Sequence, residues 1–121
     1  MLKTLIIGAS DKPQRYAYKA LKLLQKYNHE IVAIGRRQMT IDGVEVQTNQ
    51  PDFKDIHTVT LYLNAKNQQD YYDYIISLKP KRVIFNPGTE NPEFYDKLKA
   101  KNIKIEEACT LVLLSTNQYE T

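Results

Sequence analysis

The chain has 121 residues, long enough for one domain with a real core and too short for a separate substrate domain. Apolar residues make up 42% and charged residues 26%, and the net charge of +3 is scattered, so the composition is that of a globular protein and marks no nucleic-acid surface. A single cysteine, Cys109, excludes an intramolecular disulfide, the apolar N-terminal stub is too short for a signal peptide, and no run reaches transmembrane length, so a cytoplasmic protein without a membrane partner is expected.

Leu2 to Gly8 reads as a buried strand that stops at a glycine, followed by a short polar loop through Ser10, Asp11 and Lys12. From about Gln14 to Tyr27, Ala17, Ala20, Leu21 and Leu24 fall on one helical face, with Lys19, Lys22, Gln25 and Lys26 opposite. Glu30 to Gly35 is mostly apolar, as expected of a strand covered on both faces. Asp42-Gly43 signals a turn, Val44-Glu45-Val46 a short third strand, and Pro51 to Asp55 a single helical turn.

His57 to Leu63 alternates and predicts a fourth strand, with Val59, Leu61 and Leu63 on one face. A helix is predicted from Asn67 to Leu78, stopped by Pro80. Arg82 to Phe85 is the fifth strand and ends in the turn Asn86-Pro87-Gly88. Asn91-Pro92-Glu93 combines a capping Asn, Pro at the first helical position and an acid in the first turn; the helix it starts runs to about Lys101. Ile103 to Ile105 is a sixth strand, Leu111 to Leu114 lie in a last helix, and residues 117–121 are expected as a polar tail to a single domain of residues 1–116.

Strand and helix alternate with short connections, so the expected architecture is α/β: a three-layer, doubly wound parallel sheet of about six strands in the order 3-2-1-4-5-6. In that order strands one and four are neighbours, and a crevice opens between them at their carboxyl ends. Gly8, Ala9 and Ser10 would flank it with Leu63 and Asn64, and Gly35, Arg36, Arg37, Asn86, Pro87 and Gly88 would lie on the same rim.

A glycine at the end of the first strand lets backbone approach a pyrophosphate, whose charge meets the N–H groups of the loop and helix start. The G-x-G-x-x-G dinucleotide fingerprint is absent, and Gly8 alone would equally suit a strand that merely ends there. Lys12 and Arg15 can reach anionic oxygens above the helix start, whereas Asp11 opposes them; each also suits a solvated helix face. At the end of the second strand, where NAD enzymes usually place an acid for the ribose hydroxyls, this chain has Gly35-Arg36-Arg37. Two arginines there suit a ribose phosphate, as in NADP or coenzyme A, or else form a surface pair. Cys109 reads as a buried small hydrophobe, His29 and His57 lie away from the rim, and Tyr71, Tyr72 and Tyr74 read as core. No carboxylate pair, metal-ligand cluster or nucleophile–base set is discernible, so no catalytic or metal residue is assigned. No motif marks a protein partner or a homo-oligomer.

Gly8-Ala9-Ser10, Arg15-Tyr16-Ala17-Tyr18, Asn86-Pro87-Gly88 and Cys109 together resemble the small bacterial CoA-binding-domain proteins, in order and spacing over nearly the whole chain. That family's pattern is a G-A-S loop, an R-Y-G-Y-like helix start, a Q-P-G-like turn after the fifth strand and a cysteine near the end. Its fold is similar to the nucleotide-binding domain of the succinyl-CoA synthetase α-subunit. The resemblance implies a Rossmann-like domain that holds coenzyme A or an acyl-CoA without catalysing a reaction. It implies that Gly8, Ala9 and Ser10 meet the pyrophosphate, that Arg15 and Tyr16 lie close by, and that the Asn86 turn borders the pantetheine. The chain departs from the pattern at Arg36-Arg37, where Asn-Pro is common, at Asn64-Ala65-Lys66, where a proline is common, and at Ala17, which replaces a glycine. The phosphohistidine machinery of the synthetase has no counterpart. An NADP-dependent reductase, or an enzyme subunit completed by a partner chain, is the alternative reading.

Overall fold

The computed structural model describes residues 1–120. Its seven strands form one sheet: β1 Thr4–Ala9, β2 Ile31–Gly35, β3 Met39–Ile41, β4 Val44–Gln47, β5 Thr58–Leu61, β6 Arg82–Phe85 and β7 Lys104–Glu107. The helices are α1 Tyr16–Lys26, α2 Ala65–Gln68, α3 Tyr72–Leu78, α4 Pro92–Lys99 and α5 Thr110–Ser115, and a 3-10 turn, Gln69–Tyr71, joins α2 to α3.

The strand order is β3-β4-β2-β1-β5-β6-β7, with every pair parallel except β3 and β4. Six of the strands reproduce the doubly wound order expected from sequence. The seventh, β3, is an antiparallel edge strand folded back onto β4 by the Asp42-Gly43 turn, in which both residues have positive φ. Its expected absence is corrected here: three residues with only Ile41 buried carry too little pattern to announce a strand.

Strand alternation divides the core between the two faces of the sheet. Leu5, Ile7, Val59, Leu61, Val83 and Phe85 point to the face covered by α3 and α4, where they meet Ile75, Phe94 and Leu98. Ile6, Ala33 and Ile84 point to the other face and meet Leu21 and Leu24 of α1 and Leu113 and Leu114 of α5. Nearly all these side chains are fully buried. Removing one large aliphatic from either layer would cost about 2–5 kcal/mol.

Three further expectations are corrected. Pro51 to Asp55 forms no helical turn, because Asp55 takes a left-handed φ of 58° and Phe53 N bonds back to the Pro51 carbonyl instead. The helix expected over 67–78 starts earlier, where the Asn64 carboxamide accepts from Asn67 N at 2.9 Å, and is broken by the 3-10 turn. The expected polar tail is docked: Tyr119 is buried, its hydroxyl lies 2.6 Å from Thr4 Oγ1, and its carbonyl accepts from Arg82 Nη2 at 2.7 Å. Thr121, the last residue of that expected tail, lies outside the described residues.

Candidate functional site

At the carboxyl ends of β1, β2 and β5 lies a cleft of about 580 Å³. Its floor is set by Gly8, which has a φ of +98° at an irregularity in the β1–β2 register. A Cβ on Gly8 would come within 3.1 Å of the Tyr62 backbone, so β1 and the end of β5 approach as closely as they do only because the side chain is missing. Gly35 does the same at the end of β2, where a Cβ would lie 2.8 Å from the Ala9 carbonyl oxygen. Between them the loop is ordered by Ser10, whose hydroxyl accepts from Lys12 N at 3.2 Å. Beyond the loop, α1 opens on Arg15 with no side-chain cap and no acid in its first turn. Its first N–H groups have no acceptor among the described residues, the arrangement that suits an anion.

The structure brings ten of the sequence-predicted residues into this cleft: Gly8, Ala9, Ser10, Lys12, Arg15, Gly35, Arg36, Arg37, Leu63 and Asn64. Four positive side chains and one acid, Asp11, line it. Arg37 Nη2 lies 3.6 Å from Asp11 Oδ1, so this acid and this arginine are engaged with each other across the mouth. Lys12, Arg15 and Arg36 have no anionic partner among the described residues. The cleft thus carries an excess of uncompensated positive charge next to a helix start.

The remaining predicted residues do not line it. Tyr16 is 65% exposed on the outside of α1, with the Lys19 ammonium 5.3 Å from its ring centre. Pro87 and Gly88 form a turn after β6, with Gly88 N donating to Glu90 Oε1 at 3.0 Å, and do not line the cleft. Asn86 is buried, and its carboxamide is fully used: Nδ2 donates to Thr60 Oγ1 at 2.7 Å and to the Leu61 carbonyl at 2.9 Å, while Oδ1 accepts from Thr110 N at 2.9 Å. It ties β6 to β5 and caps the start of α5, which is a structural role.

Sequence reasoning missed Tyr62, Asn67 and Tyr71, all of which line the cleft. Tyr62 follows β5 and packs its ring against the α1–α5 side of the core. Its hydroxyl is buried with no hydrogen-bond partner of good geometry among the described residues, beside the Thr60 and Thr110 hydroxyls, which bond each other at 2.8 Å. Burial pushes its pKa well above the usual phenol value. Burial, and then the neighbouring Asp70 carboxylate, push that of Tyr71 up as well, so both rings are neutral at physiological pH. A signal for Tyr62 existed in its position one residue before the predicted rim pair Leu63-Asn64.

The wall that carries Leu63 and Asn64 is held from behind by a buried amide network. Gln68 Nε2 donates to the Leu63 and Thr89 carbonyls at 2.9 and 2.7 Å, and Gln68 Oε1 accepts from Asn91 Nδ2 at 2.9 Å. Asn91 Nδ2 also donates to the Tyr72 hydroxyl at 2.8 Å, and Asn91 Oδ1 accepts from Phe94 N. Gln68 is wholly buried with its carboxamide satisfied, so it fixes the turn between β5 and α2.

Comparison with solved structures places this architecture among known ones. One crystal structure, of a protein described only as uncharacterized, is 45% identical, with a TM-score of 0.95 and 98% of each chain covered. A hypothetical protein from Pyrococcus horikoshii is 23% identical over 93% of this chain and 81% of its own, with a TM-score of 0.85. A Thermus thermophilus protein is 20% identical over 98% and 90%, with a TM-score of 0.84; these last two share the fold. No curated protein sequence matches the chain. The family model described as a CoA binding domain matches residues 3–115, nearly the whole chain and all of the cleft. The chain belongs to the CoA binding domain family.

Proposed function

We propose that this protein binds coenzyme A or an acyl-CoA in the cleft between β1, β2 and β5, and that it does so without catalysing a reaction on it. The observation that carries the reading is the convergence of three cations without an anionic partner among the described residues, Lys12, Arg15 and Arg36, on a cleft whose floor is glycine backbone and a helix start without a side-chain cap. The residues present fit a nucleotide with a pyrophosphate and a ribose phosphate. The Gly8–Ser10 loop and the start of α1 would hold the pyrophosphate, and the arginine corner after β2 would face the ribose phosphate. Tyr62, Leu63 and Tyr71 supply neutral and apolar surface beside that charged corner. The one acid of the cleft is paired with Arg37 rather than aimed at a reacting group, which supports binding without chemistry.

Calorimetric titration tests the reading with coenzyme A, acetyl-CoA, dephospho-CoA and NADPH. The expected result is a 1:1 complex with coenzyme A, weaker binding of dephospho-CoA, and no loss of the thioester when acetyl-CoA is incubated with the protein. Saturation by NADPH with no response to coenzyme A would replace this reading with the reductase one.

A further inference from the structure

A second concave surface lies on the α1–α5 face and is independent of the cleft reading. The two helices pack side by side over the sheet. Between them runs an open groove of about 870 Å³ with an apolar floor made by Tyr18, Leu23, Leu111 and Val112. Val112 is 54% exposed in the middle of α5. Along one rim, Lys19, Lys22 and Lys26 follow each other at i, i+3 and i+7, which puts their charges in a single stripe beside the floor. Asp42 is the one acid at the groove, and it is already engaged by the Lys22 ammonium. An exposed apolar trough with a net positive rim is therefore left uncovered within the chain.

We infer that this groove docks an amphipathic helix of a partner protein whose apolar face is flanked by glutamate or aspartate. The shape argues for a helix: the groove between two helices takes the ridge of a third, and its lining from Tyr18 to Lys26 on α1 gives about two turns of contact on that wall, opposite Leu111 to Ser115 of the shorter α5. The charge argues for acids, since a helix with apolar anchors and acidic flanks pairs the free rim lysines while its anchors cover Val112 and Leu111. The same stripe argues against a second copy of this chain, because a two-fold pairing of the groove sets one lysine rim against another. A bilayer surface fits poorly too, as the apolar residues form the floor of a trough rather than a projecting wedge.

The test is fluorescence anisotropy with the full chain and a labelled helical peptide carrying leucines at i, i+3, i+4 and i+7 with glutamates beside them. The control peptide has lysines in place of the glutamates. The acidic peptide should bind about tenfold more tightly than the basic one, and raising the salt from about 50 to about 300 mM should narrow that gap. Val112→Glu should weaken the acidic peptide by about tenfold or more. The double variant Lys19→Glu with Lys26→Glu, at two exposed positions that do not support the core, should reverse the preference between the peptides. The inference is overturned if the acidic peptide does not bind, if both peptides bind alike, or if neither variant changes the result. It is equally overturned if sedimentation shows a dimer that Val112→Glu dissolves, or if phosphatidylserine vesicles bind where the peptide does not.

Discussion

Arg36 and Arg37 are adjacent in sequence but sit in different surroundings, and single substitutions should separate their contributions to the proposed complex. Arg37 faces Asp11 at 3.6 Å, with both side chains substantially exposed at 70% and 49%, so the pair is screened and contributes at most about 1 kcal/mol. Arg36 has no anionic partner among the described residues, and in the proposed complex it would meet the ribose phosphate. A charge-assisted hydrogen bond is worth about 1.5–3 kcal/mol, and exposure at the cleft mouth reduces it to about 1–2 kcal/mol. Arg36→Ala should therefore weaken coenzyme A by about 5- to 30-fold while leaving dephospho-CoA within about twofold, so that the ratio of the two affinities falls toward one. Arg37→Ala should weaken both ligands by a similar small factor, because it leaves the Asp11 carboxylate unpaired beside a polyanion. Asp11→Asn should tighten coenzyme A by about two- to fivefold and should rescue Arg37→Ala without rescuing Arg36→Ala. Calorimetry on the wild type, the three single variants and the two double variants, six proteins in all, with both ligands reads all of this directly. This division between the two arginines is wrong if Arg37→Ala alone collapses the ratio, or if Arg36→Ala weakens the two ligands equally.

Three other outcomes follow from the geometry. Gly8→Ala forces a Cβ to within 3.1 Å of the Tyr62 backbone at a φ of +98°, so it should cost about 1–3 kcal/mol of stability and abolish ligand binding, as read by urea melts and calorimetry. Unchanged stability would mean that β1 and β5 can separate. Asn86→Ala removes three buried hydrogen bonds at once and should cost about 2–4 kcal/mol, whereas the ligand affinity of the folded fraction should change less than twofold; a large affinity change with little loss of stability would return Asn86 to the site. Burial lowers the pKa of both His29 and His57, so the unfolded chain binds more protons than the native one as the pH falls below about 6.5. Their contribution is complete above that value and is lost between it and the depressed native pKa values. The urea midpoint should thus fall steadily from pH 7 to pH 5, above the range of ordinary carboxylates; a flat profile contradicts it.

Sequence carried the long-range architecture because each buried strand announces itself as a short apolar run. Leu5-Ile6-Ile7, Val59 to Leu61 and Val83-Ile84-Phe85 are fully buried on both faces, and their order with the intervening helices leaves little topological choice. Helix α4 was legible for a different reason, since Asn91 and Pro92 mark its start chemically, and the Asn91 side chain does accept from Phe94 N. What escaped depends on contacts distant in sequence. Residues 39–41 become a strand only because Val44 to Val46 lie opposite them. The helix of residues 65–78 is interrupted where the Gln68 carboxamide reaches across to Leu63 and Thr89. The C-terminal residues look polar because their buried aromatic, Tyr119, acts through Thr4 and Arg82, 115 and 37 positions away.

The site divides in the same way. Gly8, Gly35 and the cations after β1 and β2 could be read because backbone approach and charge are properties of residue type at a strand end. Asn86 could not, since an Asn-Pro-Gly turn on the carboxyl rim looks the same whether its amide faces a ligand or, as here, the start of α5. Tyr62 was hidden by alternation, which assigned its side chain to a sheet face and said nothing of the cleft at that face's edge.

Native mass spectrometry of the protein purified from cells without added ligand reads the occupancy of the cleft. The expected result is a population carrying one coenzyme A or acyl-CoA per chain, stripped by mild denaturation and lost in Gly8→Ala. Retention of NADP in its place, or a mass that stays at that of the bare chain even after coenzyme A is added in excess, would contradict it.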